Sequence, residues 1–313
     1  MLRFALRKVA RAVAVMLLVT FATFTLMYGN GRGIARGVLG VDATPAAVQA
    51  EVVKLGLNQP LVVQYGKWLR GVVTGNLGTS FFTGQPVRSV LSTRVPVTLT
   101  LIVVTLALAA VLSVLIGVAA AVYGGWIDRV IQPLSALGAA IPAFIIAIGL
   151  VFAFAIRVRF FPATGYVSPN QSITGWLSSI TLPVLALLVG SIAAAASQFR
   201  GTVRDTLSQD FVRTLRARGI PESRVIFRHV LRNAAGPGLT VLSLQTIGLI
   251  GGAIIIELVF ALPGIGDLSD TAAQQGDVPI VMGLVLVTTV IVQVVNLLGD
   301  LAIAAVNPKA RMS

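Results

Sequence analysis

Asp210-Phe-Val-Arg-Thr-Leu-Arg-Ala-Arg-Gly-Ile-Pro-Glu-Ser-Arg-Val-Ile-Phe-Arg-His-Val-Leu-Arg-Asn-Ala234 is an arginine-dense stretch set between long apolar runs. The runs on either side have the composition of segments that live in lipid. This stretch has the composition of one that meets water or a charged partner. Its placement decides the direction in which the chain threads a bilayer, and what it touches decides what the chain does.

The rest of the sequence supports a membrane location. Of 313 residues, 56% are hydrophobic and only 11% charged, against about 25% charged in an ordinary soluble domain. Mean hydropathy is +0.91. Cysteine is absent, which excludes disulfides and thiolate metal sites. The one histidine, His229, gives no basis for His-rich metal chemistry and reads as an interfacial side chain. A net charge of +13 would point toward nucleic acid in a soluble protein. Here it reads as contact with anionic lipid headgroups and as charge on cytoplasmic loops, so membrane lipid is an expected partner and nucleic acid is not.

Six segments read as spans against the roughly 20 residues that cross a bilayer. They are residues 10–28, 97–123, 131–156, 180–195, 239–262 and 278–306. The first follows Arg3, Arg7 and Lys8, and no small-x-small cleavage site closes it, so it reads as an uncleaved span rather than a signal peptide. The fourth is short and holds Pro183 and Gly190, which predicts a bend or an extension into its flanks. Pro142, in the third, is tolerated where neighbours satisfy the freed carbonyl; it reads either as shaping a translocation path or as a packing kink.

Loop charge sets the direction. Arg200, Arg204, Arg213, Arg216, Arg218, Arg224, Arg228 and Arg232 crowd one connection, whereas the loop after the fifth span carries only Asp267, Asp270 and Asp277. The N-terminus is basic, and Lys309 and Arg311 follow the last span. Positive-inside bias then places both termini and the arginine loop in the cytoplasm. Arg157 and Arg159 against Arg129 are a smaller asymmetry of the opposite sense. The expected organisation is a tail and first span (1–30), an extracytoplasmic helical region (31–96), a core of spans two to six (97–306) with a cytoplasmic loop at 197–236, and a cytoplasmic tail (307–313).

The outer region has helix punctuation. Thr44-Pro45 supplies a cap and an N1 proline for a helix ending at Gly56. Pro60 opens a second, with Leu61, Val62, Tyr65, Trp68, Leu69, Val72 and Val73 on one apolar face. That face suits packing against the membrane or the spans, or contact with a soluble delivery protein.

In the arginine loop, Asp210–Arg218 predicts a short helix ended by Gly219, with Ile220 and then Pro221 starting another. Arg213 and Arg216 share one face and Phe211 and Leu215 another. A basic flank beside an apolar ridge suits a groove on a cytoplasmic partner. The alternative is a loop lying on headgroups.

This loop resembles the signature loop of binding-protein-dependent ABC importer permeases, in the dipeptide/oligopeptide/nickel branch, and most closely the first of the paired dipeptide/oligopeptide permeases. The resemblance extends to Leu55-Gly-Leu-Asn-Gln-Pro-Leu-Val-Val-Gln-Tyr-Gly-Lys-Trp-Leu69, Gly75-Asn-Leu-Gly-Thr-Ser80, Thr83-Gly-Gln-Pro-Val87, Arg228-His-Val-Leu-Arg-Asn-Ala234, Val259-Phe-Ala-Leu-Pro-Gly264 and Asn307-Pro308. Met27-Tyr-Gly-Asn-Gly31 departs from the family's Leu-Pro-Gly-Asp-Pro, and Phe211 and Leu215 stand where tyrosine and alanine are common.

The resemblance implies an all-α, six-span type I importer permease in a bacterial cytoplasmic membrane. It implies a second homologous permease (a heterodimer), two cytoplasmic ATPase domains that bind the ATP and Mg, and an extracytoplasmic substrate-binding protein. Asp210, Phe211, Arg213, Leu215, Arg216, Arg218, Gly219 and Ile220 would form the ATPase-coupling element, with Phe211 and Leu215 as apolar knobs. The implied cargo is dipeptides or oligopeptides, with a nickel chelate or another small solute as the alternative.

The chain has no Gly-x-x-x-x-Gly-Lys-Ser/Thr phosphate loop, so it is not expected to hydrolyse ATP or hold a cofactor. Glu257 is an in-span carboxylate and so a functional candidate, either in gate or interface structure or in contact with cargo. Gln245, Gln293 and Asn296 suit interhelical hydrogen bonds, and Asp300 suits a partner in the arginine loop. Gly248 and Gly252 have small-xxx-small spacing and predict close helix packing. An ion-driven secondary transporter is the alternative of another class; the absence of inverted repeats and the docking-shaped loop speak against it.

Overall fold

The computed structural model describes residues 2–40 and 42–306, leaving out the side chains of residues 2–6, 127, 300 and 302–306. Asn307-Pro308, Lys309 and Arg311 therefore lie outside the described residues, as does the side chain of Asp300. The helices are α1 (Leu2–Tyr28), α2 (Gly31–Leu39), α3 (Pro45–Lys54), α4 (Leu61–Val73), α5 (Val87–Tyr123), α6 (Gly125–Ala140), α7 (Ala143–Leu150), α8 (Ile173–Leu207), α9 (Asp210–Ala217), α10 (Glu222–Arg224), α11 (Leu231–Val259), α12 (Ile265–Gln275) and α13 (Val278–Val306). π-helical turns at Val151–Arg157 and Val225–Val230 follow α7 and precede α11.

Among the described residues five stretches are long and apolar enough to cross a bilayer, and a bent pair makes a sixth if it is one span. The fold is thus all-α and multi-spanning. The helices outrun the expected spans. At 37 residues and 1.5 Å per residue α5 is about 55 Å long, against about 30 Å of hydrocarbon. The fourth span takes the second of its two expected forms, extension into its flanks: α8 runs through Pro183 for 35 residues.

The third span, expected over residues 131–156 with Pro142 inside it, is broken at that proline. It breaks between α6 and α7 with a bend of 97°. Pro142 has no N–H to continue α6, and its ring pushes the preceding residue out of the helical region. Ile141 is accordingly extended (φ −83°, ψ 120°). The Pro142 carbonyl then accepts from the Ile145 N–H at 3.0 Å, so Pro142 ends one helix and opens the next.

The chain forms two compact units. The first comprises the residues up to Thr98 and Pro263–Gln293. Here α3 has its expected ends. The Thr44 hydroxyl accepts from Ala47 N–H at 3.3 Å. Gly56, at φ +69°, lets the Leu57 and Gly56 N–H groups return to the Val52 and Val53 carbonyls at 2.9 and 3.1 Å, a Schellman ending. The apolar face of α4 is divided. Tyr65 and Trp68 pack with Phe24 of α1, and the Tyr65 and Thr20 hydroxyls lie 2.9 Å apart. Val62 and Val73 stay exposed at 70% and 82%. Nothing in the sequence signalled α2, yet the departure at Asn30 serves it: the Asn30 side chain caps α2 by accepting from Gly33 N–H at 3.0 Å.

A buried polar knot closes the loop before α5. Asp277, just ahead of α13, accepts from the Ser80 hydroxyl and, at 3.2 Å, from Phe81 N–H. The Ser80 oxygen in turn accepts from the Phe82 and Thr83 N–H groups. Ser80 and Asp277 are both buried. Removing a buried acceptor costs about 1–3 kcal/mol. Asp277→Ala is therefore expected to raise protease cleavage within residues 75–86 of the folded protein about fivefold or more. Cleavage at the wild-type rate contradicts the knot's role.

The second unit comprises Leu99–Leu262 and the chain from Val294 onward. Ala109 of α5, Leu188, Ala195 and Phe199 of α8, and Leu242 of α11 form one of its cores. Phe199 is 2% exposed. Its ring occupies the space a side chain at Gly238 of α11 would need, and a Cβ built at Gly117 of α5 would lie 2.7 Å from its own Cβ. Of the two glycines expected to pack closely, Gly252 does so, a Cβ built on it lying 3.3 Å from Leu187 Cδ2; around Gly248, among the described residues and outside its own helix backbone, no atom lies within 4 Å of such a Cβ. A small residue permits close approach, but the knob on the facing helix decides where it happens.

Candidate functional site

The arginine loop takes its shape from two helix ends. Gln209 is extended (φ −73°, ψ 149°) between α8 and α9, and its carbonyl accepts from Val212 N–H at 3.0 Å. At the far end Gly219 stands at φ +71°. There the Ile220 N–H donates to the Leu215 carbonyl at 3.2 Å and the Gly219 N–H to the Arg216 carbonyl at 2.9 Å. That is a Schellman ending, whose usual companion is an apolar contact across it. Leu215 and Ile220 both pack on the same buried cluster, Val118, Val203, Val212, Val225, Ile226, Val230 and Ala234. Pro221 then restarts the chain, accepting from Arg224 N–H at 2.9 Å.

Charge fastens the turn from outside. Arg216 Nε donates to one oxygen of Glu222 at 3.0 Å and Nη2 to the other at 2.5 Å. The hydrogen bond to the Glu222 carboxylate pushes the Arg216 guanidinium above its usual range. Both partners are about half exposed, so the pair steers the loop's geometry more than its stability. Asp210 and Arg213, 3.6 Å apart, are far more open, at 95% and 76%.

One expectation is reversed. Phe211 and Leu215 share a face, but it points into the chain: both are half-buried against the Val212 cluster. An eight-residue helix with Val212 fully buried has no second apolar side to offer. The exposed face is instead Asp210, Arg213, Thr214 and Ala217, continued by Arg216, Arg218 and Gly219.

The in-span polar groups lie on α11 and α13. Glu257 lies in α11 and is fully buried; its carbonyl accepts from Leu262 N–H at 2.8 Å. This is another Schellman ending, with Ala261 at φ +49° where glycine is usual,. Gln245 Nε2 donates to the Ser191 carbonyl of α8 at 3.1 Å, and its Oε1 is buried with no hydrogen-bond partner among the described residues. Gln293 and Asn296 are half-buried on α13, and Pro142 is exposed at the α6–α7 break. Asp300 lies on α13 with its side chain outside the described residues. Among the described residues no group of three His, Cys, Asp or Glu could hold a metal.

A polar pair went unanticipated. Asp128, in the first turn of α6, takes Arg200 of α8 by both ends of its guanidinium, with Nη2 to Oδ2 at 2.6 Å. Both side chains are 16% exposed. Its only trace in the sequence was an acidic residue beside Arg129 in a short connection.

Comparison with known proteins covers the chain from end to end. The family described as binding-protein-dependent transport system inner membrane component matches residues 113–312. Its companion, the N-terminal part of the same membrane component, matches residues 1–102. The "Probable peptide ABC transporter permease protein y4tP" of Sinorhizobium fredii is 38% identical over 307 residues, 98% of each chain. The "Oligopeptide transport system permease protein AppB" of Bacillus subtilis is 33% identical over 313 residues, 99% of each.

Proposed function

The chain belongs to the binding-protein-dependent transport system inner membrane components, and on that premise we propose that it is one permease of an ATP-driven importer that carries small peptides into the cell. It is a multi-pass membrane subunit and not itself an enzyme. The observation that carries the coupling half of the proposal is α9: a short helix with its apolar side sunk in its own chain and its arginine side turned out. The peptide half rests on the relatives, whose names are those of peptide and oligopeptide permeases.

In this reading a second permease pairs with the chain, two ATPase domains bind ATP and Mg in the cytoplasm, and a binding protein delivers peptide from outside. The exposed face of Asp210, Arg213, Thr214 and Ala217, with Arg218 and Gly219 at its end, meets the ATPase. Phe211, Leu215 and Ile220 fix that face on the permease, and Arg216 holds the turn through Glu222. ATP-driven closure of the ATPases moves α9, and α9 moves the spans. Glu257, buried in α11, serves gate structure rather than cargo.

Vesicles containing the complete transporter are expected to accumulate a labelled tripeptide only when ATP is present on the face that carries Asp210. Because the chain has no cysteine, Asp210→Cys gives a single label for that face. It should react with a membrane-impermeant maleimide from the ATP side alone. Accumulation driven by an ion gradient without ATP, or labelling from the opposite face, overturns the reading.

A further inference from the structure

We infer that α6 and α8 travel as one body during transport, and that the Asp128–Arg200 pair is the fastening that makes α6 follow the coupling helix. The inference rests on the proposed role of α9 and adds a route by which its motion reaches the bent third span.

The route begins with connectivity. α8 is continuous to Leu207, and only Ser208 and Gln209 separate it from α9. α6, by contrast, is loosely tied to the chain at both ends. It starts at Gly124-Gly125, at φ +55° and +56°, and it ends at the 97° break before α7. Neither junction is a continued helix, so neither fixes where α6 goes.

Attachment to α8 does fix it, at two points. At the start of α6, Asp128 holds Arg200 by two parallel hydrogen bonds. Gln132, one turn on, also donates to this carboxylate, at 3.4 Å, and Arg204 lies 3.9 Å from it. Ten residues further along α6 and ten residues back along α8, Gly138 meets Gly190: a Cβ at Gly190 would lie 3.6 Å from the Gly138 carbonyl oxygen. A Cβ at Gly138 would lie 3.2 Å from Ala193 Cβ. The helices are therefore antiparallel, joined by a charged clamp and by a backbone interlock about 15 Å apart. Two such points on packed helices resist both sliding and rotation. A fork-on-carboxylate pair is also directional in a way that a lysine cannot reproduce. These are positioning residues: they touch neither peptide nor ATP.

The interlock can be locked covalently. Gly138→Cys with Ala193→Cys places two Cβ atoms near the 3.5–4.5 Å separation of a disulfide. In the complete transporter in vesicles, the reduced double variant should show ATP-driven tripeptide uptake, which checks the underlying reading independently. Oxidation with copper phenanthroline should then leave at least half of that uptake. Uptake abolished on oxidation and restored by dithiothreitol means the helices separate in the cycle, and the inference is wrong.

A second measurement covers the case of a reduced variant that fails to assemble. Asp128→Asn, with uptake normalised to chain in the membrane, is expected to lower peptide moved per ATP hydrolysed at least fivefold, and Asp128→Glu to restore most of it. A merely structural role would lower hydrolysis and uptake together. An unchanged ratio in Asp128→Asn overturns the proposal.

Discussion

Gly219→Val is expected to cut peptide uptake at least tenfold while the amount of chain in the membrane stays within twofold of wild type. Gly219 sits at φ +71°, a region that costs an ordinary L-residue about 1–2 kcal/mol and a β-branched one more. The chain escapes that cost by unwinding the Schellman turn. Ile220 N–H then loses the Leu215 carbonyl, Gly219's own N–H loses Arg216, and the Arg216–Glu222 bridge loses its spacing. None of these groups lies in a membrane-spanning helix, so insertion is untouched. What changes is the direction of the arginine face of α9, and 1.4 kcal/mol of misdirection is already tenfold in docking. Gly219→Ala should fall between valine and wild type. Uptake and ATPase co-purification equal to wild type would show that this turn does not present the docking face.

The structure also alters what a substitution at Phe211 or Leu215 would mean. From sequence spacing they looked like knobs for a partner, and Asp at either would have tested docking. With both packed on the Val212 cluster, a carboxylate there would be driven against a buried apolar surface, which costs several kcal/mol unless the segment lets go. Lost uptake in such variants would report a detached loop. Arg213, at 76% exposure, is the cleaner probe of the partner surface.

That contrast marks where the sequence was legible. Helix ends were, because they depend on residues a few places apart: Thr44 and Pro45 at the start of α3, Gly56 at its end, Gly219 after α9. Long apolar runs were, because only lipid explains them. The facing of α9 was not, because a period shared by Phe211 and Leu215 gives a side without saying which side is in. The break at Pro142 was visible as a proline but not as a 97° turn, since Pro183 sits inside an unbroken α8. Asp128 with Arg200 and Ser80 with Asp277 are partners far apart in the chain, and nothing local announces them.

Gly238→Leu is expected to leave little folded chain in the membrane, the largest loss of stability predicted for a single position. The spacing of Gly248 and Gly252 picks out one close approach, at Gly252, but Gly238 is where a helix has no room. A Cβ there would lie 2.8 Å from Phe199 Cδ1 and nearer still to two other ring atoms. Phe199 cannot retreat, because its own Cβ is pressed on Gly117 and its ring is closed in by the α8–α11 core. Overpacking of a tight core costs about 1–3 kcal/mol, occasionally more, and here backbone approach on two sides removes the cheap adjustments. Phe199→Ala alone should be severe for the opposite reason, a cavity costing about 3–5 kcal/mol. The two defects are complementary: the ring that blocks a side chain at 238 is the volume that is missing at 199. Gly238→Ala combined with Phe199→Ala should therefore be less destabilised than the sum of its parts, by about 1–3 kcal/mol, read as the midpoint of thermal unfolding in detergent. Strict additivity would mean that the ring does not occupy this slot, and wild-type accumulation of Gly238→Leu would mean that α8 and α11 do not cross here.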